Sequence, residues 1–405
     1  MTSEILTLKK IQEAREAIKS FVHHTPLNRS STFSNMTGAE IYLKMENLQK
    51  TGSFKVRGAA YKISMLSAEE RRFGVLAASA GNHAQGVAMA ATRFGIPSTI
   101  VMPESAPLTK ISATEGYGAK VILSGAVYDD AYQKALELKE QNGATFIHAF
   151  DDFDVIAGQG TIGIEILEDL PDVDTILVPV GGGGLLAGIA TAIKSLKPAV
   201  KIIGVEASGA SCMLEAMKKG CPVNLETVNT LADGIAVKCA GNLTFACIHK
   251  LVDEIVTVEE EEISAAILVL MERAKTIAEG AGAVTLAAAM QKKVDLKGQK
   301  AVLLISGGNI DVNFLAQIIE RGLRRTGRLM VFRTILPDRP GNLEKLLEFI
   351  ANEGANVVTV EQYRYDLSVP LRFARVQMTL ETQSYEHQAR IKFKLGEADY
   401  PVEII

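Results

Sequence analysis

Two successive series of alternating strands and helices constrain the fold of this chain more than any other feature. Between residues 74 and 306, short apolar runs alternate with longer stretches of helical periodicity. Parallel strands need crossover connections of about a dozen residues, usually a helix, so the alternation predicts parallel sheets covered by helices. The predicted strands are Gly74–Ala78, Ser98–Met102, Lys120–Leu123 and Thr145–His148, then Thr175–Val180, Lys201–Glu206, Glu254–Val258 and Ala301–Ser306.

The pattern predicts an α/β fold with two open, mainly parallel subdomains. Ligands of such folds bind in the crevice outside the carboxyl ends of the strands, so we expect an active site between the two subdomains. Small and polar residues follow two of the predicted strands, beginning at Ser79 and at Gly181, and Ser306 ends a third.

Residues 329–405 follow a different pattern. A polar, glycine-containing segment, Arg321–Gly327, precedes them, and the predicted elements then run β-α-β-β-α-β, the ferredoxin-like α+β order. The sequence therefore predicts one domain at 1–326, with a smaller subdomain of about 41–150 inserted in the larger one, and a second domain at 329–405. A length of 405 residues agrees with two or three domains.

Charge and composition exclude several classes of protein. The net charge of −4 and the pI near 6.0 give no reason to expect nucleic acid as a partner. Thr175–Ile193 lacks charged residues, but Pro179 and four successive glycines favour a strand, a loop and a helix over a membrane span. The four cysteines form no CxxC pair, which predicts reduced thiols in a cytoplasmic protein.

Lys55 lies in the segment Thr51–Gly58, where a small Gly-Ser pair precedes an apolar run with helical spacing. This places Lys55 near the first turn of a helix, whose partial positive charge and free N–H groups disfavour an ammonium. Such an amine shifts toward its neutral, nucleophilic form and can form a Schiff base with an aldehyde. The alternative is an exposed surface lysine, the usual state of this residue type.

Gly181–Gly184 lie between a predicted strand and a predicted helix. Backbone without side chains lets several N–H groups converge on one anion at a helix N-terminus, and a phosphate is the obvious ligand. A tight turn is the structural alternative, although four glycines exceed what a turn needs. The loop also has the Gly-x-Gly-x-x-Ala spacing from Gly182, with Glu206 about 20 residues further on, so a dinucleotide-binding loop stays open.

Two further strand ends carry small and polar residues. At Ser79–Gly86, free N–H groups could hold a carboxylate, and the Asn82 amide can both donate and accept hydrogen bonds. Capping of the following helix by Asn82 is an equal alternative. Ser306–Asn309 combines a hydroxyl at a strand end with two glycines.

Four segments stand in the order found in the threonine dehydratases, lyases of the tryptophan-synthase-β-like group of pyridoxal-phosphate enzymes. The chain resembles this family over nearly all of residues 1–325, and the resemblance implies pyridoxal 5'-phosphate as cofactor. It also implies dehydration and deamination of L-threonine to 2-oxobutanoate and ammonia, with L-serine giving pyruvate. The segments are Ser53-Phe54-Lys55-Val56-Arg57-Gly58, Ser79-Ala80-Gly81-Asn82-His83, Gly181-Gly182-Gly183-Gly184 and Ser306-Gly307-Gly308-Asn309.

The same resemblance implies roles for the site residues. Lys55 would hold the cofactor covalently and remove the Cα proton of the substrate. Asn82 would bind the ring hydroxyl, Gly181–Gly184 the phosphate and Ser306 the pyridine nitrogen, while Ser79–His83 would hold the substrate carboxylate. The expected cofactor-binding residues are Phe54, Lys55, Asn82, Gly181, Gly182, Gly183, Gly184, Leu185 and Ser306, and the expected substrate-binding residues are Ser79, Ala80, Gly81 and His83.

Some positions depart from relatives in this group. Ala80 stands where serine racemases have a second serine as acid/base, so efficient racemisation is not expected. Glu206 matches the glutamate of a divalent-cation site, but Cys212 stands where the aspartate would be, so any ion at Glu206 is expected to be monovalent. Glu279 either lines the site or caps a helix.

The C-terminal segment contains Asp338-Arg339-Pro340-Gly341 and resembles an ACT domain, a module that commonly binds amino acids. The resemblance implies a homodimer or homotetramer regulated by an amino-acid or nucleotide effector near Asp338–Leu343. Three alternatives to the dehydratase activity stay open. They are a serine racemase, a β-replacing enzyme such as threonine synthase or cysteine synthase, and a non-catalytic amino-acid sensor or nucleotide-binding module.

Overall fold

The computed structural model describes residues 6–365 and 368–405, and the chain divides into two compact units, Met1–Ile310 and Asp311–Ile405. The strands of the first unit are β1 (Leu27–Arg29), β2 (Glu40–Met45), β3 (Val75–Ala78), β4 (Ser98–Met102), β5 (Lys120–Leu123), β6 (Thr145–Phe146), β7 (Thr175–Pro179), β8 (Lys201–Ala207), β9 (Glu254–Val258) and β10 (Lys300–Ile305). Its helices are α1 (Leu8–Ile18), α2 (Ser31–Thr37), α3 (Lys55–Ser64), α4 (Ala68–Phe73), α5 (Asn82–Arg93), α6 (Leu108–Gly116), α7 (Tyr128–Asn142), α8 (Phe153–Asp169), α9 (Gly184–Leu196), α10 (Cys212–Lys219), α11 (Asn242–Leu251), α12 (Glu260–Val269) and α13 (Gly280–Met290).

The larger sheet has six strands in the order β1-β2-β10-β7-β8-β9. Its neighbouring strands run parallel, except that β1 is antiparallel to β2. Every residue of the central strand β7 is buried, as expected for a parallel sheet covered on both faces. The predicted strand, loop and helix across Thr175–Ile193 are confirmed as β7, a glycine loop and α9.

The smaller sheet has four parallel strands in the order β5-β4-β3-β6. The α/β fold with two mainly parallel sheets is therefore confirmed. The smaller sheet begins at Val75 and not near residue 41, because β2 belongs to the larger sheet. There it pairs with β10 from Glu40 opposite Lys300 to Met45 opposite Ile305, a partner too distant in sequence for local patterning to reveal.

Two helices of the first unit have distinctive ends. Helix α8 begins at Phe153 because the Asp152 carboxylate caps it, accepting hydrogen bonds from the backbone N–H groups of Asp154 and Val155 at 2.8 and 3.1 Å. Helix α12 ends at Val269 and passes into a π-helical turn, Leu270–Ala274, before the extended segment that leads to Glu279.

The second unit contains α14 (Val312–Arg325), β11 (Leu329–Pro337), α15 (Asn342–Asn352), β12 (Asn356–Tyr363), β13 (Phe373–Glu381), α16 (Tyr385–Glu397) and β14 (Glu403–Ile404). The four strands form an antiparallel sheet in the order β12-β13-β11-β14. The ferredoxin-like fold is confirmed from β11 onward. Helix α14 groups with this unit, whereas the sequence places the boundary at Arg321–Gly327. The helix packs against β11, and the Tyr385 hydroxyl of α16 donates to the carbonyl of Arg325 at 2.7 Å.

No helix in the described ranges combines the length and the apolar character that a membrane crossing requires.

Candidate active site

Helix α3 begins at Lys55 and is tied to the carboxyl end of β10. Ser53 forms an isolated antiparallel bridge with Gly307, and the backbone N–H of Phe54 donates to the carbonyl of Ser306 at 3.1 Å. On its other side α3 packs against α8, where the N–H of Gly58 donates to Oε1 of Gln159 at 3.2 Å. These contacts hold the first turn of α3 at the edge of the sheet where the crevice is predicted.

The Lys55 amine is half-buried and has weak polar surroundings. Its Nζ donates to the carbonyl of Ala149 at 3.2 Å and lies 5.2 Å from the centre of the Phe54 ring. The described part of the chain gives Lys55 no salt-bridge partner. Desolvation lowers the pKa of Lys55 to about 8, although the negative charge of Glu279 acts in the opposite direction. The amine therefore loses its proton more readily near neutral pH than an exposed lysine does.

The tetraglycine loop Gly181–Gly184 joins β7 to α9 and is fully buried. Gly183 has φ of +95°, a conformation that favours glycine. The carbonyl groups have protein donors: Gly182 O accepts from the Thr244 hydroxyl at 2.6 Å and Gly181 O from the Cys212 thiol at 3.7 Å.

The N–H groups of this loop differ from its carbonyl groups, which have protein partners. Within the described ranges, the N–H groups of Gly182, Gly183, Gly184 and Leu185 have no protein acceptor. A buried run of free N–H groups at a helix N-terminus fits an anionic group such as a phosphate.

Ala149 and Phe150 connect Lys55 to the tetraglycine loop. The carbonyl of Ala149 accepts from Lys55, and the Phe150 ring lies so close to Gly182 that a Cβ atom there would overlap it. Nδ1 of His148 shapes this turn by accepting from the N–H groups of Phe150 and Asp151 at 3.2 and 2.8 Å. The sequence does not single out Ala149 or Phe150; their position just after β6 is the one signal that could have found them.

Ser79–His83 lies at the carboxyl end of β3, and α5 begins at Asn82. The Ser79 hydroxyl accepts from the N–H of Gly81 at 3.2 Å, while the N–H groups of Ala80, Asn82 and His83 have no acceptor among the described residues. Asn82 does not cap α5 with its side chain, because its Nδ2 donates to Oε1 of Glu279 at 2.7 Å.

The His83 side chain is turned into the core and bonds with the carbonyl of Ile147 at 2.8 Å. Its pKa is lowered to about 3 by burial and by the charge of Lys55, so the imidazole is neutral. Any contact of His83 with a ligand would therefore fall to its backbone N–H.

Ser306 and Glu279 lie at the opposite wall of the site. The Ser306 hydroxyl is buried and donates to the carbonyl of Ala281 at 3.3 Å. Glu279 precedes α13 without a side-chain capping bond, because its carboxylate accepts from Asn82. Burial and the charge of Asp233 raise the pKa of Glu279 to about 7. Of the two interpretations from sequence, Glu279 lines the site.

Glu206 lies at the end of β8 and is separate from this cluster. The carboxylate is buried and accepts from the N–H groups of Met213 and Leu214, both at 2.8 Å. Burial raises the pKa of Glu206 to about 8. Among the described residues, no group of three or more His, Cys, Asp or Glu side chains is arranged to hold a metal ion.

Three comparisons place this site among known proteins. Residues 18–307 match the family model described as pyridoxal-phosphate dependent enzyme. The chain is 54% identical over 401 residues to the L-threonine ammonia-lyase of Thermotoga maritima, covering 99% of this chain and 100% of the relative. It is 48% identical over 396 residues to the L-threonine ammonia-lyase of Geobacter sulfurreducens, covering 98% of each.

A catabolic L-threonine dehydratase of Staphylococcus aureus is 50% identical over 326 residues, covering 80% of this chain and 94% of the relative. Among solved structures, the processed form of threonine deaminase isoform 2 from Solanum lycopersicum has a TM-score of 0.75 and 42% identity, covering 77% of this chain and 87% of that chain. Maize serine racemase also has a TM-score of 0.75, with 35% identity, covering 80% of this chain and 99% of that chain.

Proposed function

The chain belongs to the family of pyridoxal-phosphate dependent enzymes, and on that premise we propose that it converts L-threonine to 2-oxobutanoate and ammonia, and L-serine to pyruvate and ammonia. The observation that carries the proposal is the 54% identity to an L-threonine ammonia-lyase across the full length of both chains. The half-buried, unpaired amine of Lys55 beside a loop of free N–H groups supports it.

The residues of the site fit the functional groups of pyridoxal 5'-phosphate. Lys55 would bond to its aldehyde carbon, the N–H groups of Gly181–Gly184 and Leu185 would bind its phosphate, and the Asn82 amide would bind its ring oxygen. The Ser306 hydroxyl would face its pyridine nitrogen. Phe54 supplies an aromatic ring next to the Lys55 amine.

The cofactor, when bound, supplies a conjugated ring that accepts the electron pair left at Cα of the substrate. Lys55, uncharged at Nζ, removes the Cα proton as a general base. The free N–H groups of Ala80, Asn82 and His83 hold the substrate carboxylate. Ser306 is neutral and does not keep a pyridine nitrogen protonated as a carboxylate would, which favours prompt loss of the β-hydroxyl over a long-lived carbanion.

Racemisation and β-replacement are the alternatives within the family. Ala80 offers no side-chain acid to return a proton to the opposite face of Cα, so efficient racemisation is not expected. A β-replacing enzyme needs an activated leaving group on the substrate. Two relatives that match 99% and 98% of this chain are named L-threonine ammonia-lyase, which supports elimination instead.

For the domains, we infer catalysis at 1–326 and regulation at 329–405, with an amino-acid or nucleotide effector near Asp338–Leu343. The match to a dehydratase that covers 80% of this chain supports a catalytic part that is separable from the rest. An exposed edge strand, β12, supports pairing with a second copy in a homodimer or homotetramer. Cytoplasmic location and a monovalent ion at Glu206 stay predictions.

The test measures keto acid and ammonia released from L-threonine and L-serine by the purified protein with added pyridoxal 5'-phosphate. Equal amounts of the two products are expected, and K55A should lose at least about 10³-fold in rate. The matched control is K62A on the same helix, since Lys62 is paired with Asp152 and Asp154 and should retain its rate. Absence of keto acid from both substrates contradicts the proposal.

A further inference from the structure

A line of hydrogen bonds joins four residues in the first unit. Nδ2 of Asn309 donates both to the backbone carbonyl of Thr51 at 2.7 Å and to Oδ1 of Asn82 at 2.8 Å. Nδ2 of Asn82 then donates to Oε1 of Glu279 at 2.7 Å. The line therefore runs from Thr51 through Asn309 and Asn82 to Glu279 and includes the residue that would bind the ring oxygen.

The two ends of the line fix the direction of every bond in it. A backbone carbonyl can only accept, so the Asn309 group facing Thr51 must be Nδ2. Both hydrogens of that nitrogen are then used, and Asn82 must present Oδ1 to Asn309. The Asn82 nitrogen consequently faces the Glu279 carboxylate, which accepts. A reversed Asn82 amide would place two NH2 groups together at one end and two oxygens at the other.

Close packing at Gly307 preserves this arrangement. A Cβ atom at this position would overlap Oε1 of Glu279 and would lie 3.2 Å from Nδ2 of Asn82. The tie between Gly307 O and the N–H of Glu279 at 3.1 Å holds the carboxylate at the same place. The backbone therefore fixes both neighbours of Asn82 in this line: the Thr51 carbonyl positions Asn309, and the contact between Gly307 and Glu279 positions the carboxylate.

We propose that Asn309 is a positioning residue that holds the Asn82 amide with its nitrogen toward the active site. One hydrogen of Asn82 Nδ2 binds Glu279, and the second has no acceptor in the described part of the chain. This second N–H is the donor for the ring oxygen of the cofactor. The inference rests on the proposed function, because it concerns how the same site holds pyridoxal 5'-phosphate.

The decisive variant is N309D, which has the size of Asn309 but presents oxygens where two donors are required. It repels the carbonyl of Thr51 and Oδ1 of Asn82, so the Asn82 amide turns over and its donor is lost from the ring oxygen. N309A removes the donor without adding charge and covers the case in which N309D does not fold.

Asn47 provides the matched control. Its Nδ2 also donates two hydrogen bonds to distant parts of the same unit, to the Thr276 hydroxyl at 2.7 Å and the Ile277 carbonyl at 2.9 Å. N47D therefore makes the same chemical change at a buried asparagine that is outside the line to Asn82. Loss of stability alone should affect both positions in the same way.

The experiment titrates pyridoxal 5'-phosphate into cofactor-free wild type, N309D, N309A and N47D, and records the visible absorption band and the Kd. N309D and N309A should shift the band and raise Kd at least about tenfold, while N47D keeps the wild-type band and Kd. If both Asn309 variants keep them too, or if N47D changes equally, the positioning role is wrong. A wild type that binds no cofactor contradicts the proposed function instead, so the two failures are distinct.

Discussion

Two cations at the start of α3 stand in opposite surroundings. Arg57 is fully buried, and its guanidinium donates to both oxygens of Glu46, at 2.8 Å each, and to both oxygens of Glu165, at 2.6 and 3.0 Å. Lys55, two residues earlier, is only half-buried and bonds to one backbone carbonyl. The more deeply buried of the two side chains is therefore the one that is paired.

Salt-bridge partners, more than the degree of burial, decide whether a cation at this helix start keeps its charge. Burial disfavours the charged guanidinium, but Glu46 and Glu165 outweigh it and raise the pKa of Arg57. Lys55 has no comparable compensation, and desolvation lowers its pKa to about 8. One helix start thus carries a cation that stabilises the fold and an amine that is free to react.

Removing the paired cation, Arg57, should have the largest effect on stability. R57M leaves Glu46 buried without its counter-charge, and the free energy of unfolding should fall by about 3–5 kcal/mol. Urea denaturation of the cofactor-free protein measures it. The control is K62M on the same helix, where Lys62 pairs with two partly exposed carboxylates and the loss should stay below about 1 kcal/mol. Equal losses from both variants would contradict the comparison.

Glu206 extends the comparison to a buried carboxylate that accepts hydrogen bonds from two backbone N–H groups. Its pKa is raised from 4.5 to about 8, so the folded state binds a proton that the unfolded state releases. Stability falls as pH rises from about 4.5 to about 8. A glutamine offers one acceptor oxygen to the two N–H groups, where Glu206 offers two. The prediction therefore concerns the pH dependence: between pH 4 and pH 9, wild type should lose about 1–3 kcal/mol of stability relative to E206Q.

Denaturation at pH 9 with KCl or with tetramethylammonium chloride checks the origin of this difference. If a monovalent ion binds Glu206, KCl should stabilise wild type and leave E206Q unchanged, which narrows the gap between them. A difference between the two proteins that is the same at pH 4 and pH 9 would show that the charge of Glu206 carries no such cost.

Removing the unpaired cation should act in the opposite direction from removing Arg57. The pKa of Lys55 falls from 10.5 to about 8 on folding, so the charged amine destabilises the fold below pH 8, and this cost disappears as pH rises toward 10.5. K55M should therefore stabilise the cofactor-free protein by about 1–2 kcal/mol at pH 7, allowing for its partial exposure. A K55M variant that is less stable than wild type at pH 7 would contradict the prediction that the charged Lys55 amine destabilises the fold.

The smallest effect concerns Glu279, a carboxylate whose charge acts on Lys55. Glu279 raises the pKa of Lys55 by its charge, so E279Q should lower that pKa further and leave more neutral amine. Acetylation of Lys55 by acetic anhydride at pH 8, followed by mass spectrometry, should become roughly threefold faster. Acetylation of Lys62 in the same sample serves as the reference and should not change.

The fold was predictable from the sequence where the pattern was local. Alternating strand and helix periods define the two parallel sheets, and the glycine run between β7 and α9 indicates the loop. The pairing of β2 with β10 was not predictable, because the paired residues, from Glu40 opposite Lys300 onward, are about 260 positions apart in the sequence. The fold class of the C-terminal unit was predictable from the sequence. The inclusion of α14 in that unit was not, because its contacts include residues distant in sequence, such as Tyr385.

The site was predictable at the strand ends and not between them. Lys55, Asn82 and the tetraglycine loop lie in segments whose composition is unusual. Phe150 and Ala149 are ordinary residues that matter only because the turn after β6 meets α3. The position of Glu279 at the start of α13 fits both a cap and a site residue, and the choice depends on the rotamer that Asn82 stabilises.

Lys55, which forms no salt bridge with the described residues, is proposed to be the amine that bonds to the cofactor. The direct test is borohydride reduction of the protein loaded with pyridoxal 5'-phosphate, followed by proteolysis and peptide mapping. The cofactor should be fixed on Lys55, whereas Lys44 and Lys62, which form salt bridges with carboxylates, should be unmodified. An unmodified Lys55, or a cofactor fixed on another lysine, would contradict it.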